Sequence, residues 1–306
     1  MPKTTGSRRG SSPPRRRRPL LLALASLFAV AMVALVGVAL GRSRPSGTAV
    51  EDPGPAHVHG LGVNPSDGAL FAATHTGLFR IPERGPAKRI ADRYQDTMAF
   101  TVVGPDRFLA SGHPDLRDPA LRRQGRPPLL GLIESTDAGQ SWSPISLLGE
   151  ADFHTLALSG GTLVGYDSTG GRVMATTDRR SWETRSLAQL GDLAVDPTNP
   201  ERMVGLDEAG SVIGSVDGGR SWSPAPGPAL MLVRWDEAGR LWGAAADGTI
   251  HRRGPDGAWE QRAALGGEPE ALLVEGPVVH VAVAGRGIVR SDDEGRTWRL
   301  RYRAEP

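Results

Sequence analysis

Ser215-Val216-Asp217-Gly218-Gly219-Arg220-Ser221-Trp222 is one copy of a device that recurs along this chain of 306 residues. It returns as Ser135-Thr136-Asp137-Ala138-Gly139-Gln140-Ser141-Trp142 and as Ser291-Asp292-Asp293-Glu294-Gly295-Arg296-Thr297-Trp298. Shortened copies stand at Thr177-Asp178-Arg179-Arg180-Ser181-Trp182 and at Asp256-Gly257-Ala258-Trp259. The tryptophans Trp142, Trp182, Trp222, Trp259 and Trp298 step by 40, 40, 37 and 39 residues, a period that belongs to repeat architectures.

The residue types are those of a self-stabilised turn. The carboxylates of Asp137, Asp178, Asp217 and Asp293 accept hydrogen bonds from backbone N–H groups just ahead. Gly139, Gly219 and Gly295 supply the positive φ at which the chain reverses. The tryptophan then opens the next strand and offers a large apolar body with one N–H to satisfy. All of these positions read as scaffold.

An apolar strand lies about thirty residues before each of the last four tryptophans and 42 before Trp142, where an insertion intervenes: Phe100-Thr101-Val102-Val103, Leu156-Ala157-Leu158, Leu193-Ala194-Val195, Met231-Leu232-Val233 and Leu272-Leu273-Val274, with Leu61-Gly62-Val63 ahead of them all. A second strand follows a turn rich in Gly, Pro, Asn or Asp, such as Asn64-Pro65-Ser66-Asp67-Gly68, and a third follows another glycine, as in Gly77-Leu78-Phe79-Arg80. Four short strands per forty residues make a propeller blade. Six repeats start near 57, 98, 152, 190, 229 and 269, so the spacing predicts an all-β, six-bladed propeller over 57–306, closed by pairing the first and last blades. A seventh blade borrowing from the linker has no sequence of its own. Blade 1 lacks a tryptophan, and blade 2 carries an insertion over 113–128 whose Arg117, Arg122, Arg123 and Arg126 suit a lid or a partner loop.

The first fifty residues are of another kind. They hold nine basic residues and no acid, and Leu20 to Leu40 is an uncharged apolar run long enough to span a bilayer. Seven of the positive charges precede that run, which places the N-terminus in the cytoplasm. The expected organisation is a basic cytoplasmic tail (1–18), a transmembrane signal anchor (19–41), a flexible linker (42–56) and an extracytoplasmic propeller. The competing reading is a cleaved signal peptide and a secreted domain, with Ala39-Leu40-Gly41 as the cleavage site. No cysteine is present, so neither a disulfide nor a lipid-bearing cysteine contributes.

Removing those nine from the 36 basic residues leaves 27 against 34 acidic ones, about −7 for the propeller. An acidic surface excludes nucleic acid as a partner, because phosphate binding needs a basic patch.

The pattern Ser/Thr-x-Asp-x-Gly-x-Ser/Thr-Trp resembles the Asp-box of the bacterial neuraminidase repeat, matched in full by three copies. Such repeats occur in sialidase-like propellers, sortilin-type receptors and photosystem II assembly factors, where the box lies on an outer turn away from the central site. The run from His57-Val58-His59-Gly60-Leu61-Gly62-Val63 through Gly77-Leu78-Phe79-Arg80 to the first box is similar to a family of actinobacterial envelope proteins labelled glycosylhydrolases. That label rests on the fold.

Under the sialidase resemblance, Phe79-Arg80-Ile81-Pro82 implies that Arg80 clamps a substrate carboxylate. Asp115 and Glu270 are further catalytic candidates. A sialidase also needs two more arginines and a tyrosine nucleophile, and Tyr94, Tyr166 and Tyr302 stand in no recognisable pattern. The histidines are the stronger lead. His57 and His59 alternate on the first inner strand and so share a face. His154 holds the equivalent position in blade 3, with Asp192 and Glu270 at or beside it in blades 4 and 6. His75 lies on the second strand of blade 1, and Gly112-His113-Pro114-Asp115 opens the insertion. Together these eight residues, His57, His59, His75, His113, Asp115, His154, Asp192 and Glu270, form a candidate ligand pocket at the funnel mouth. Their donor atoms suit a divalent metal, but spacing across blades lacks the tightness of a metal motif, so no metal or other cofactor is expected. Two functions follow: a membrane-anchored propeller binding a protein or envelope ligand at its central face, or a sialidase-like exo-glycoside hydrolase acting on an external glycan.

Overall fold

The computed structural model describes residues 52–304. The expected cytoplasmic tail and membrane anchor, and residues 42–51 of the linker, lie outside the described residues. Within them no helix is long and apolar enough to cross a membrane.

Twenty-four strands form six antiparallel sheets, each of four consecutive strands. Blade 1 comprises β1 (Val58–Val63), β2 (Leu70–Thr74), β3 (Gly77–Ile81) and β4 (Lys88–Arg89). Blade 2 comprises β5 (Asp96–Gly104), β6 (Arg107–His113), β7 (Leu132–Ser135) and β8 (Ser143–Ser146), and blade 3 comprises β9 (Phe153–Ser159), β10 (Thr162–Asp167), β11 (Arg172–Thr176) and β12 (Glu183–Leu187). In blade 4 these are β13 (Asp192–Asp196), β14 (Asn199–Leu206), β15 (Val212–Ser215) and β16 (Ser223–Pro224). Blade 5 has β17 (Leu232–Trp235), β18 (Leu241–Ala244), β19 (Ile250–Arg253) and β20 (Trp259–Gln261), and blade 6 has β21 (Pro269–Glu275), β22 (Val278–Val283), β23 (Gly287–Ser291) and β24 (Arg299–Arg303).

Because the strands of a blade alternate in direction, every inner strand starts at the same end of the ring. The turns between second and third strands lie at that end too. The octets, between third and fourth strands, lie at the other.

Each octet ties itself together. Ser135 Oγ donates to Asp137 Oδ1 at 2.8 Å and accepts from the Gly139 N–H at 2.8 Å, while Asp137 Oδ1 accepts from the Ser141 N–H at 2.9 Å. The same bonds recur around Asp217 and Asp293. The blade 3 copy starts one residue earlier than the sequence suggests: Thr176 plays the serine's part, bonding Asp178 at 2.9 Å, and Arg179, at φ 62°, replaces the glycine. Gly139, at φ 85°, also lies so close to blade 1 that a Cβ would sit 2.5 Å from Leu78 Cδ2.

The turn aims the tryptophan at the preceding blade. Trp142 packs with Phe71, Leu78 and Ile90 of blade 1. Trp182 stacks on Phe153 at 4.7 Å and donates its indole N–H to Ser146 Oγ of blade 2 at 2.9 Å. Trp222 does likewise with Ser186 Oγ, and Trp259 and Trp298 donate to the carbonyls of Pro226 and Ala263. The five interfaces from blade 1 through blade 6 thus gain a wedge, and Trp182, Trp222, Trp259 and Trp298 satisfy their polar atom across the gap.

Blade 1 has no such tryptophan, and the ring closes differently from expectation. No strand of blade 1 pairs with blade 6. The two sheets pack face to face instead, with Leu61, Leu70, Phe79 and Ile81 against Ala271, Ala282, Ile288 and Tyr302. The inner surfaces of both blades are apolar enough to seal without hydrogen-bonded closure. Arg301, 9% exposed, supplies the polar link that the indole makes elsewhere. Its guanidinium donates to the carbonyls of Ile81 and Pro82 and pairs with Glu83 at 3.0 Å.

Two expectations follow. Arg301→Ala leaves those carbonyls without their donor and should cost about 1–3 kcal/mol, with Arg301→Lys recovering only part because the fork is lost; urea denaturation measures both. Asp293 is held down to about 2 from an ordinary 3.8 by the hydroxyl and amide of Thr297 and the hydroxyl of Ser291. Its contribution is therefore complete above pH 3.8 and disappears as pH falls towards 2. The gap in denaturation midpoint between the native protein and Asp293→Asn should accordingly be wide at neutral pH and shrink across that window.

Candidate functional site at the channel mouth

The innermost strands enclose a central channel of about 360 Å³, lined by residues of all six blades, among them His59, His154, Leu193, Arg234 and Leu272. At the end where the inner strands start, a chain of histidines and carboxylates spans blades 6, 1, 2 and 3.

Backbone irregularity aims these side chains. In blade 1 the pairing steps from Val58↔Thr74 to Gly60↔Ala73 and skips His59. In blade 3 it skips His154, between Phe153↔Asp167 and Thr155↔Tyr166, and in blade 6 it skips Glu270, between Pro269↔Val283 and Ala271↔Ala282. Blade 2 has the same bulge at Met98. A bulge inserts one residue against the ladder and re-aims its side chain. His57 precedes β1 and sits at φ 51°, a left-handed conformation unusual for a side chain of this size. His57 and His59 do converge, but through a bulge and a left-handed residue rather than by strand alternation.

The contacts run in sequence around the mouth. Glu270 accepts from His57 Nδ1 at 3.0 Å and from the Val58 N–H at 3.1 Å. The rings of His57, His59 and His75 lie 4.3–5.0 Å apart. His59 Nε2 is 3.2 Å from His75 Nδ1, which is 2.8 Å from Asp96 Oδ1. The other oxygen of Asp96 is 3.5 Å from His113 Nδ1. His113 Nε2 is 3.8 Å from Asp152 Oδ2, which lies 3.1 Å from His154 Nε2 and accepts from Ser168 Oγ at 3.2 Å. The remaining oxygen of Asp152 is buried without a hydrogen-bond partner.

The electrostatics follow from these neighbours. Burial opposes the charge of Asp96, yet hydrogen bonds from His113 and His75 outweigh it and hold the carboxyl well below the usual range. Asp152 and Glu270 are lowered in the same way, against burial, by His154 and by His57 with the Val58 amide. His113 is raised by Asp96, and His57 by Glu270. His59 is pushed down to about 3 by burial and by His75 beside it, so it stays neutral at physiological pH.

Three of the candidate residues, Arg80 from the sialidase resemblance and Asp115 and Asp192 from the expected pocket, are elsewhere or otherwise employed. Arg80 lies on β3 and pairs with Asp67 at 2.7 Å, in the turn between β1 and β2 at the far end of the ring. It does not reach the mouth. Asp115 accepts from the Tyr94 N–H and from the amide and guanidinium of Arg117, and so pins the insertion instead of facing the channel. Asp192, 6% exposed, bridges blades 4 and 5 through the Val233 N–H at 2.8 Å and Arg234 at 2.6 Å. The insertion itself is anchored, with Leu121 buried, Arg93 on Asp118 and Arg123 on Glu150.

Sequence reasoning missed Asp96 and Asp152, the carboxylates that join the histidines. A signal was present: Asp152-Phe153-His154 repeats the spacing of His57-Val58-His59, and Asp96 occupies the equivalent inner-strand start in blade 2.

The chain shares its β-propeller fold with proteins of varied function. YCF48 bound to a D1 peptide is similar over 84% of both chains, at 18% identity and TM-score 0.51. A GH74 enzyme from Niastella koreensis matches 82% of this chain but 46% of its own, at 13% identity and TM-score 0.58. Virginiamycin B lyase from Staphylococcus aureus, in a catalytically inactive form with quinupristin, matches over 80% and 83% at 12% identity and TM-score 0.52. These identities speak to the fold alone. No family model matches the chain, and no curated protein matches it in sequence.

Gly112 makes the junction between Asp96 and His113. It sits at φ 130°, and a Cβ there would lie 2.1 Å from the Asp96 carbonyl oxygen and 2.7 Å from the Met98 nitrogen. Gly112→Ala should therefore destabilise by well over about 1 kcal/mol, whereas Gly104→Ala on the same sheet, with open space around it, should stay within about 1 kcal/mol. Urea denaturation of the two variants makes the comparison.

Proposed function

We propose that this protein is a membrane-anchored, extracytoplasmic β-propeller that binds a protein or cell-envelope ligand at the histidine-lined mouth of its central channel. One observation carries the reading: blades 6, 1, 2 and 3 each bring polar side chains into one continuous chain around the open end of the ring, against the apolar preference of strand interiors. Polar groups converging at the mouth of a cavity whose wall includes Leu156, Leu193, Leu272 and Val274 are the ordinary composition of a binding site. That YCF48, of similar fold, is seen with a bound peptide is compatible with this use of a propeller. The anchor is supported by the apolar run Leu20 to Leu40 and its preceding positive charges.

The glycoside hydrolase alternative asks for different chemistry. A retaining or inverting glycosidase needs one carboxylic acid kept protonated near neutral pH. The mouth carboxylates Asp96, Asp152 and Glu270 are all lowered, and the channel carboxyl that burial raises, Glu275, lies away from them at the end of β21. A sialidase needs arginines free to clamp an anionic sugar, and Arg234, in the channel wall, is committed to Asp192. Of the three tyrosines, Tyr166 accepts at its hydroxyl oxygen from the Leu190 N–H, Tyr94 lies under Arg89 and Arg117, and Tyr302 is buried between blades 6 and 1.

Calorimetric titration of the purified protein with envelope polysaccharides, muropeptides and peptides, run beside a panel of fluorogenic glycosides that includes a sialoside, tests the reading. The expected result is saturable binding to one of these classes, weakened at least about tenfold (1.4 kcal/mol) by His154→Ala and unchanged by Arg80→Ala, with no glycoside turnover. Turnover abolished by Glu270→Gln would replace the binding reading with the hydrolase one. Recovery of the protein in the membrane fraction, with the propeller open to external protease, is the matching expectation for the anchor.

A further inference from the structure

We propose that His57, His59, His75 and Asp96 form a binding site for one zinc-class divalent metal ion at the channel mouth. The site lies within the region read above as ligand-binding, but its argument is independent of any ligand.

The first support is dimensional. His59 Nε2, His75 Nδ1 and Asp96 Oδ1 form a triangle with edges of 3.2, 2.8 and 3.7 Å. Two atoms bound at about 2.0–2.1 Å to a tetrahedral zinc stand about 3.3 Å apart, so the triangle has the size of one face of such a coordination shell. A ring nitrogen of His57 joins those of His59 and His75, all three within 4.8 Å of one another.

Proton counting gives the second support. His75 Nδ1 carries at most one proton, yet it stands within hydrogen-bond distance of both His59 Nε2 and Asp96 Oδ1. A proton directed at Asp96 leaves the short approach of His59 without a linear bond, and a proton from His59 to His75 sets a nitrogen lone pair against a carboxylate oxygen. A single cation satisfies all three atoms at once.

The third is orientation. Glu270 holds Nδ1 of His57 and is itself fixed by the Val58 amide, which leaves Nε2 of His57 as its donor. A carboxylate behind a metal-bound imidazole is the usual means of setting its tautomer and aim. Asp96 is likewise held from behind by His113. Imidazole with one carboxylate suits zinc, cobalt, nickel or copper, whereas calcium and magnesium call for oxygen ligands.

The test is titration of the chelator-treated full-length protein with Zn²⁺ and with Co²⁺, following heat release, thermal stability and the visible bands of low-symmetry Co²⁺. One equivalent should bind, raise the melting temperature and produce the cobalt bands, while Mg²⁺ does neither. His75→Ala, at a half-exposed position that tolerates truncation, should abolish the bands with the circular dichroism of the fold retained. His59→Ala should do the same, and Glu270→Gln should weaken binding by roughly 10–100-fold. Absence of stoichiometric binding, or binding undiminished in a folded His75→Ala protein, overturns the site. Metal binding without any envelope ligand would leave the site standing and the ligand reading refuted.

Discussion

Face-to-face burial between neighbouring blades is the constraint on which everything else in this molecule depends. No hydrogen-bonded strand crosses from one sheet to the next, so the ring is held by apolar packing and by a few side chains that reach over the gap. The tryptophan after each turn fills the space between sheets, and Trp182, Trp222, Trp259 and Trp298 also give their N–H to the preceding blade. Where the tryptophan is missing, at the join between blades 6 and 1, a buried arginine gives its donors to the neighbour's carbonyls. The two solutions follow one rule, that polar atoms carried into an interface meet partners there, with Nε of Arg301 as the exception.

That rule also shapes the channel. Inner strands start at one end of the ring, so irregularity at their first residues is felt at a single place. Four of the six inner strands bulge there, and in three of them the skipped residue is His59, His154 or Glu270. In blades 4 and 5 the pairing is regular at the same level, and the polar groups Asp192 and Arg234 spend themselves on each other. The difference between the histidine-lined mouth and the closed Asp192–Arg234 bridge is one unpaired residue per strand. The histidines there differ in charge for reasons of place: His59 is buried and neutral, while His57 and His113 face carboxylates that favour their charged forms.

Much of the scaffold was legible in the chain, because a turn that stabilises itself must carry its own residue types in order. Asp217, Gly219 and Trp222 mean the same thing wherever they recur, so the copies marked five of the six blades, and blade 1 was found from its strands alone. The site was legible only in part. His57, His59, His75, His113, His154 and Glu270 stand out by residue type and by nearness to strand starts. Asp115 looked equivalent but is turned into the insertion by Arg117, and Arg80 resembled a substrate clamp but lies at the far end of the ring. Asp96 and Asp152 passed unnoticed, since an aspartate at a strand start is commonplace.

By itself, the sequence determined the repeat, the strand order within each repeat and the identity of the side chains available at each strand start, all of which depend on local chemistry within about forty residues. Only the tertiary structure decided how the ring closes, which inner strands bulge, and hence which carboxylate meets which histidine. Those pairings join residues up to 213 positions apart, as His57 and Glu270 are. A bulge shifts one residue against a partner strand, and whether it forms depends on packing that no local pattern encodes.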